Sequence, residues 1–120
     1  MANPNMVNVT SIYGKTAGLA ITTGTAQPIV TNANSSGKIL KVNSLTVANI
    51  NTAAATVNVE VYKNQTTAYR LAYTITVPAN ATLVIISREM PIYLEENDSI
   101  RLSASINGYL EAVVSYEEIS

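Results

Sequence analysis

The chain of 120 residues contains neither histidine nor cysteine, and that removes most catalytic chemistry at once. Ser–His–Asp and Cys–His nucleophiles are excluded, as are zinc sites built on imidazole or thiolate. A Ser–Lys nucleophile has no recognisable spacing. Gly14-Lys15-Thr16 imitates the end of a phosphate-binding loop, but the glycine such a loop needs five positions earlier is replaced by Val9. The one acidic concentration is Glu95, Glu96 and Asp98. A calcium site there would need about six to eight oxygen ligands. Three carboxylates without a second ligand-bearing loop fit a solvated turn better, and Glu117 and Glu118 read as a solvated tail. No two acids are placed across a cleft as glycoside hydrolysis requires. The expectation is no enzyme, no cofactor and no metal, with Glu95, Glu96 and Asp98 as the weak metal candidates.

Seven tyrosines supply all the aromatic character. Tyr73 and Tyr116 fall on inward phases, whereas Tyr62 lies opposite the Val57–Val59–Val61 set. An outward tyrosine is a contact candidate for glycan or protein alike. Val7, Val9, Tyr13 and Tyr62 are the candidate interaction residues.

The elements that must carry these side chains are strands. The run from Met90 to Tyr116 is its clearest part: Ile100, Leu102, Ala104 and Ile106 alternate, and Leu110, Ala112, Val114 and Tyr116 alternate again. Asn107 and Gly108 stand close to the break, which predicts a hairpin with a type I′ turn. Upstream, Leu40 and Val42 share a phase that Leu45 and Val47 reverse, predicting a β-bulge near Asn43–Ser44. Val57, Val59 and Val61 alternate with polar residues. Leu71, Tyr73, Ile75 and Val77 form a further inward set, and Leu83–Ile86 reads as a strand buried on both faces. Pro28 beside a short apolar piece fits a sheet edge. Eight to ten short strands with turn signals every 8–12 residues predict an all-β, antiparallel two-sheet sandwich, jelly-roll-like in preference to immunoglobulin-like. Residues 1–14 read as an N-terminal arm and 15–120 as a single sandwich domain.

Composition supports the same class. Apolar residues make up 48% and charged residues only 12%, about half the usual share for soluble domains. Net charge is −1 with scattered cations, so no nucleic-acid footprint forms. No stretch approaches 18 uninterrupted apolar residues, and no membrane contact is expected. MANPNMVNVTS has neither the basic nor the apolar region of a secretory signal. Asn-x-Ser/Thr triplets at Asn8, Asn34, Asn64, Asn80 and Asn97 are the chance yield of an Asn- and Thr-rich chain.

About two-thirds of the chain carries a resemblance as a whole. GKILKVNSLTVANINTAAATVNVEVYKN followed by TITVPANATLVIISREMPIYLEENDSIRLSASINGYLEAVVSYEEIS resembles small virion structural proteins of tailed bacteriophages, marine and cyanobacterial ones especially. The likeness lies in the order of its pieces: the NSLTVAN strand, the VPAN turn, the PIYLEENDSIRL corner and the VVSYEEI end. It implies a β-sandwich part of the particle, assembled in the host cytoplasm, that binds other virion proteins and associates as a homo-oligomer, a trimer among the choices. Capsid decoration is the first expectation and a collar, tail or fibre position the second. A carbohydrate-binding or adhesin-like module using exposed tyrosines is the rival of another class.

Overall fold

The computed structural model describes Pro4 and residues 8–120. Nine strands account for the regular structure of those residues: β1 (Ile12–Ala20), β2 (Gln27–Thr31), β3 (Ile39–Asn49), β4 (Ala55–Lys63), β5 (Thr67–Val77), β6 (Thr82–Ile86), β7 (Ile92–Leu94), β8 (Ser99–Ala104) and β9 (Leu110–Ile119). They form two antiparallel sheets packed face to face. One has the order β1-β9-β3-β6, with β7 also pairing β3, and the other the order β2-β8-β4-β5. The all-β sandwich is as the alternation predicts.

The pairs nest. β4 pairs β5, β3 pairs β6 and β7, β2 pairs β8, and β1 pairs β9. Alternating side chains from both inner faces fill the space between the sheets. Val42, Leu45, Val47, Leu94 and Val114 of the first sheet meet Val57, Val59, Ile100 and Leu102 of the second, all fully buried. The bulge predicted in β3 is present, with the register shifting between Val42 and Ser44. It brings both halves of an 11-residue strand onto one core face despite their opposite phases. Pro28 lies on β2, an outer strand of the second sheet, at the register shift between Pro28 and Val30.

The expected 107–108 hairpin is absent. β8 belongs to the second sheet and β9 to the first, so residues 105–109 carry the chain from one sheet to the other. Asn107 is not left-handed; only Gly108 is, at φ 79°. The Asn107 side chain instead accepts a hydrogen bond from the Thr23 N–H at 2.6 Å. Backbone bonds from Ser105 N–H to the Thr56 carbonyl and from Ile50 N–H to the Tyr109 carbonyl hold the crossover at its ends. Inward alternation on both sides of a turn is satisfied equally by two strands of one sheet or one strand of each. The turn with two left-handed central residues joins β4 and β5, at Asn64 (φ 52°) and Gln65 (φ 55°), closed by Thr66 N–H to the Lys63 carbonyl.

Other expectations also yield to position in the sheet. β5 is an outer strand whose register against β4 shifts twice, between Val57 and Val59 and between Val59 and Glu60. Those two bulges undo the simple alternation: Val77 is buried, but Leu71, Tyr73 and Ile75 are exposed. β6 is likewise an outer strand, with Val84 exposed, so Leu83–Ile86 is not covered on both faces. Residues 12–14, the last three of the stretch read as an N-terminal arm, are the first three of β1 and pair with Ile119, Glu118 and Glu117. Val7 lies outside the described residues.

Replacing Gly108 by valine places a β-branched residue at φ 79° with no atom within 4 Å of the new Cβ, so the cost is backbone strain alone. About 1–2 kcal/mol is expected. Urea denaturation should show a lowered midpoint with unchanged slope; an unchanged midpoint contradicts the assignment.

Candidate interaction surfaces

Glu95, Glu96 and Asp98 form the turn between β7 and β8, and burial makes it a structural corner rather than a solvated one. Asp98 is 1% exposed. Its carboxylate accepts hydrogen bonds from Lys63 Nζ at 2.6 Å, the Asn64 N–H at 2.9 Å and the Glu95 N–H at 3.0 Å. Glu96 is also buried and accepts from the Gly37 N–H at 2.5 Å. The corner thus ties the β4–β5 turn to the loop after β2. Asn32 completes the arrangement: its side-chain amide donates to the Lys38 and Leu94 carbonyls, and its backbone bonds both Asn97 and Asp98. Among the described residues no three acidic side chains come together as a metal ion would require. The carboxylates are turned onto backbone N–H groups and a lysine, so they serve as fasteners.

Lys63 holds its proton more tightly than an ordinary lysine, chiefly through its hydrogen bond to Asp98. Charge-assisted bonds to a buried carboxylate are among the stronger polar contacts.

Glu117 and Glu118 are not a free tail, because β9 is paired on both sides along its length. Glu118 meets Lys15 at 3.0 Å and Lys38 at 3.1 Å, while Glu117 accepts from the Asn43 side chain at 2.9 Å. The Lys15 and Lys38 ammonium groups hold the Glu118 carboxyl below its ordinary value of 4.5, Lys15 making the largest contribution.

On the outer face of the second sheet, Glu60 and Arg101 sit directly across from one another on β4 and β8. Arg101 Nε donates to Glu60 at 3.0 Å, and its second nitrogen also reaches that oxygen. The guanidinium lies 3.6 Å from the centre of the Tyr62 ring. Tyr62, a candidate contact residue, is therefore half-buried as one wall of a stacked ion pair. Val9 is half-buried next to Thr10 and Ser11, whose N–H groups both reach the Ser120 carbonyl. Tyr13, at the start of β1, is 61% exposed.

Sequence reasoning missed the β5 surface. Tyr69 and Tyr73 are 61% and 68% exposed, and exposed Leu71 and Ile75 lie on the same strand. Arg70 stands over the Tyr73 ring at 5.9 Å. The signal was in the sequence: the apolar residues of β5 outnumber what a strand with one covered face can bury. A shallow depression of about 290 Å³ lies on the β1–β9 seam, lined by Gly18, Leu19, Ala20, Glu111, Ala112 and Val113. Glu111 is the one carboxylate among these lining residues.

Compared with protein-family models and with curated proteins, the sequence matches none.

Two measurements check these polar contacts. Asp98→Asn removes a buried carboxylate from three donors and should lower stability by about 1–3 kcal/mol, read by chemical denaturation; an unchanged midpoint would contradict the corner. Because Glu118 binds its proton less tightly when folded, its contribution is present above pH 4.5 and is lost as pH falls through its lowered folded value. Thermal melts of Glu118→Gln should therefore differ from the parent at neutral pH and converge with it in strong acid.

Proposed function

We propose that the chain is a non-enzymatic structural subunit of a tailed-phage virion, placed on the head surface and acting through contacts with other particle proteins. The observation that carries this reading is the β5 surface. Four apolar or aromatic side chains, Tyr69, Leu71, Tyr73 and Ile75, stand exposed along one strand of a small sandwich. Several large apolar side chains exposed on one strand are a candidate interaction site. Tyrosine with a neighbouring arginine, here Arg70, is the composition that recurs at the energetic centre of protein contacts.

Two further features support it. The nested pairing of β1 with β9, β2 with β8, β3 with β6 and β7, and β4 with β5 favours the jelly-roll reading of the sandwich, an architecture that recurs in viral capsid domains. The buried acids are consumed in fastening loops, which leaves the conspicuous features of the surface apolar. A collar or tail position would use the same strand. A glycan-binding module would use the Tyr69 and Tyr73 rings as platforms, with Tyr62 withdrawn by its stacking on Arg101.

Electron microscopy of particles assembled with and without this protein tests the reading. Head-surface density should be lost in its absence. Tyr69→Lys combined with Tyr73→Lys, both at exposed positions, should leave the melting temperature nearly unchanged and weaken particle binding by about tenfold or more. Particles of identical density and stability with and without the chain would overturn it, as would retention on a glycan array without any affinity for particles.

A further inference from the structure

We propose that the chain forms a closed two-fold dimer by antiparallel pairing of β1 with β1 of a second copy, joining two first sheets into one continuous sheet. Among the described residues the sandwich has four outer strand positions: β1, β2, β5 and the β6–β7 side. Each presents backbone N–H and C=O groups along one side, and natural proteins blunt such edges with proline, bulges, charges or interruptions. Three of the four are blunted here. β2 carries Pro28 and a register shift between Pro28 and Val30. β5 carries two register shifts and a left-handed residue, Thr74 at φ 53°. The β6–β7 side is broken into two short strands by residues 87–91, which include Pro91, and its register shifts again between Leu45 and Thr46.

Of these devices β1 has only a charge. Its nine residues pair with β9 in unbroken register from Ile12 to Ala20. It contains no proline, and among the described residues no strand pairs its other side. Its one charge, Lys15, is turned onto Glu118 of the same chain at 3.0 Å. Gly14, Thr16, Gly18 and Ala20 alternate along one face and keep it low, so a neighbouring strand meets no bulky obstruction.

The occupant follows from the same comparison. Among the described residues a copy of this chain offers just one unblocked edge, so edge pairing between copies must join β1 to β1, and the contact is isologous and closes at two. Nine residues centre on Thr16. A two-fold axis there sets Thr16 opposite Thr16, Lys15 opposite Ala17, Gly14 opposite Gly18 and Tyr13 opposite Leu19. No like charges face each other, and the exposed Tyr13 ring gains an aliphatic cross-strand partner. A net charge of −1 per chain adds little repulsion. The inference deepens the subunit-contact reading by naming one partner, and it uses a different strand from β5.

The test is light scattering on the purified full chain across a concentration series. The expected mass at high concentration is twice 12.8 kDa. Thr16→Lys sets two cations opposite each other at an exposed position and should raise the dissociation constant by roughly fivefold or more, with the melting temperature of the dilute protein unchanged. Thr16→Glu should do the same, and an equimolar mixture of the two variants should recover dimer as the mixed species, seen by native mass spectrometry. A wild-type chain that stays monomeric, a trimer or open polymer, or variants that dimerise as well as the parent would each overturn the inference. Loss of the dimer in folded Thr16→Lys with particle binding intact leaves both readings standing. Loss of particle binding by a wild-type chain that still dimerises overturns the functional reading alone.

Discussion

The fold depends on the placement of its last strand. β9 enters between β1 and β3 and pairs with both along nearly its whole length. Leu110, Ala112 and Val114 are buried at its centre, and Ile119 is buried at its end. Without β9 the first sheet has no continuous ladder, because β1 and β3 have no bonds to each other. The start of β1 and the end of β9 are drawn together: Ser11 and Ser120 exchange backbone bonds at 3.0 Å each way, and their hydroxyls are 2.8 Å apart. Pairing the first strand with the last is about as non-local as a chain of this length allows. Slow folding, with the first sheet completed late, is the expected consequence.

Burial of polar groups follows from that closure. Where strands from different parts of the chain end together, their turns present N–H and carbonyl groups that water no longer reaches. Asn32, Asn49, Glu96 and Asp98 supply the partners, and no buried side-chain nitrogen or oxygen among the described residues lacks one. Asn49 donates to the Ala53 and Val77 carbonyls and accepts from the Asn51 N–H, which seals the other end of β3. The chain's few charges are thus largely committed to its own structure, in Lys63–Asp98, Arg101–Glu60 and Glu118 with its two lysines. Apolar side chains of β5, with Arg70 over the Tyr73 ring, and strand edges are then conspicuous on the surface.

Local signals were legible in the residues wherever one strand had one covered face. The phase reversal around Asn43–Ser44 located the β3 bulge, and Val57 and Val59 marked the inner face of β4. Alternation also marks the inner residues of β8 and β9 but not their partners, since a period of two records which face is buried and not which sheet a strand joins. The same limit misplaced Leu71, Tyr73 and Ile75: bulges and an outer position in the sheet cancel the alternation, and neither is written locally. Asp98 looked solvated because its donors, Lys63 and Asn64, come from a turn more than thirty residues away. Asn64–Gln65 makes the left-handed turn with a weaker local signal than Asn107–Gly108, held by Asn97 and Asp98 across the corner.

The distribution of blunted and unblunted edges connects fold to assembly, because it decides where backbone is available to another chain. Hydrogen–deuterium exchange of the full chain over a range of concentrations tests this most directly. Amides of residues 12–20 should become more protected as concentration rises while those of residues 67–77 do not change. Protection that grows in β5 instead, or none in β1 at any concentration, would contradict it.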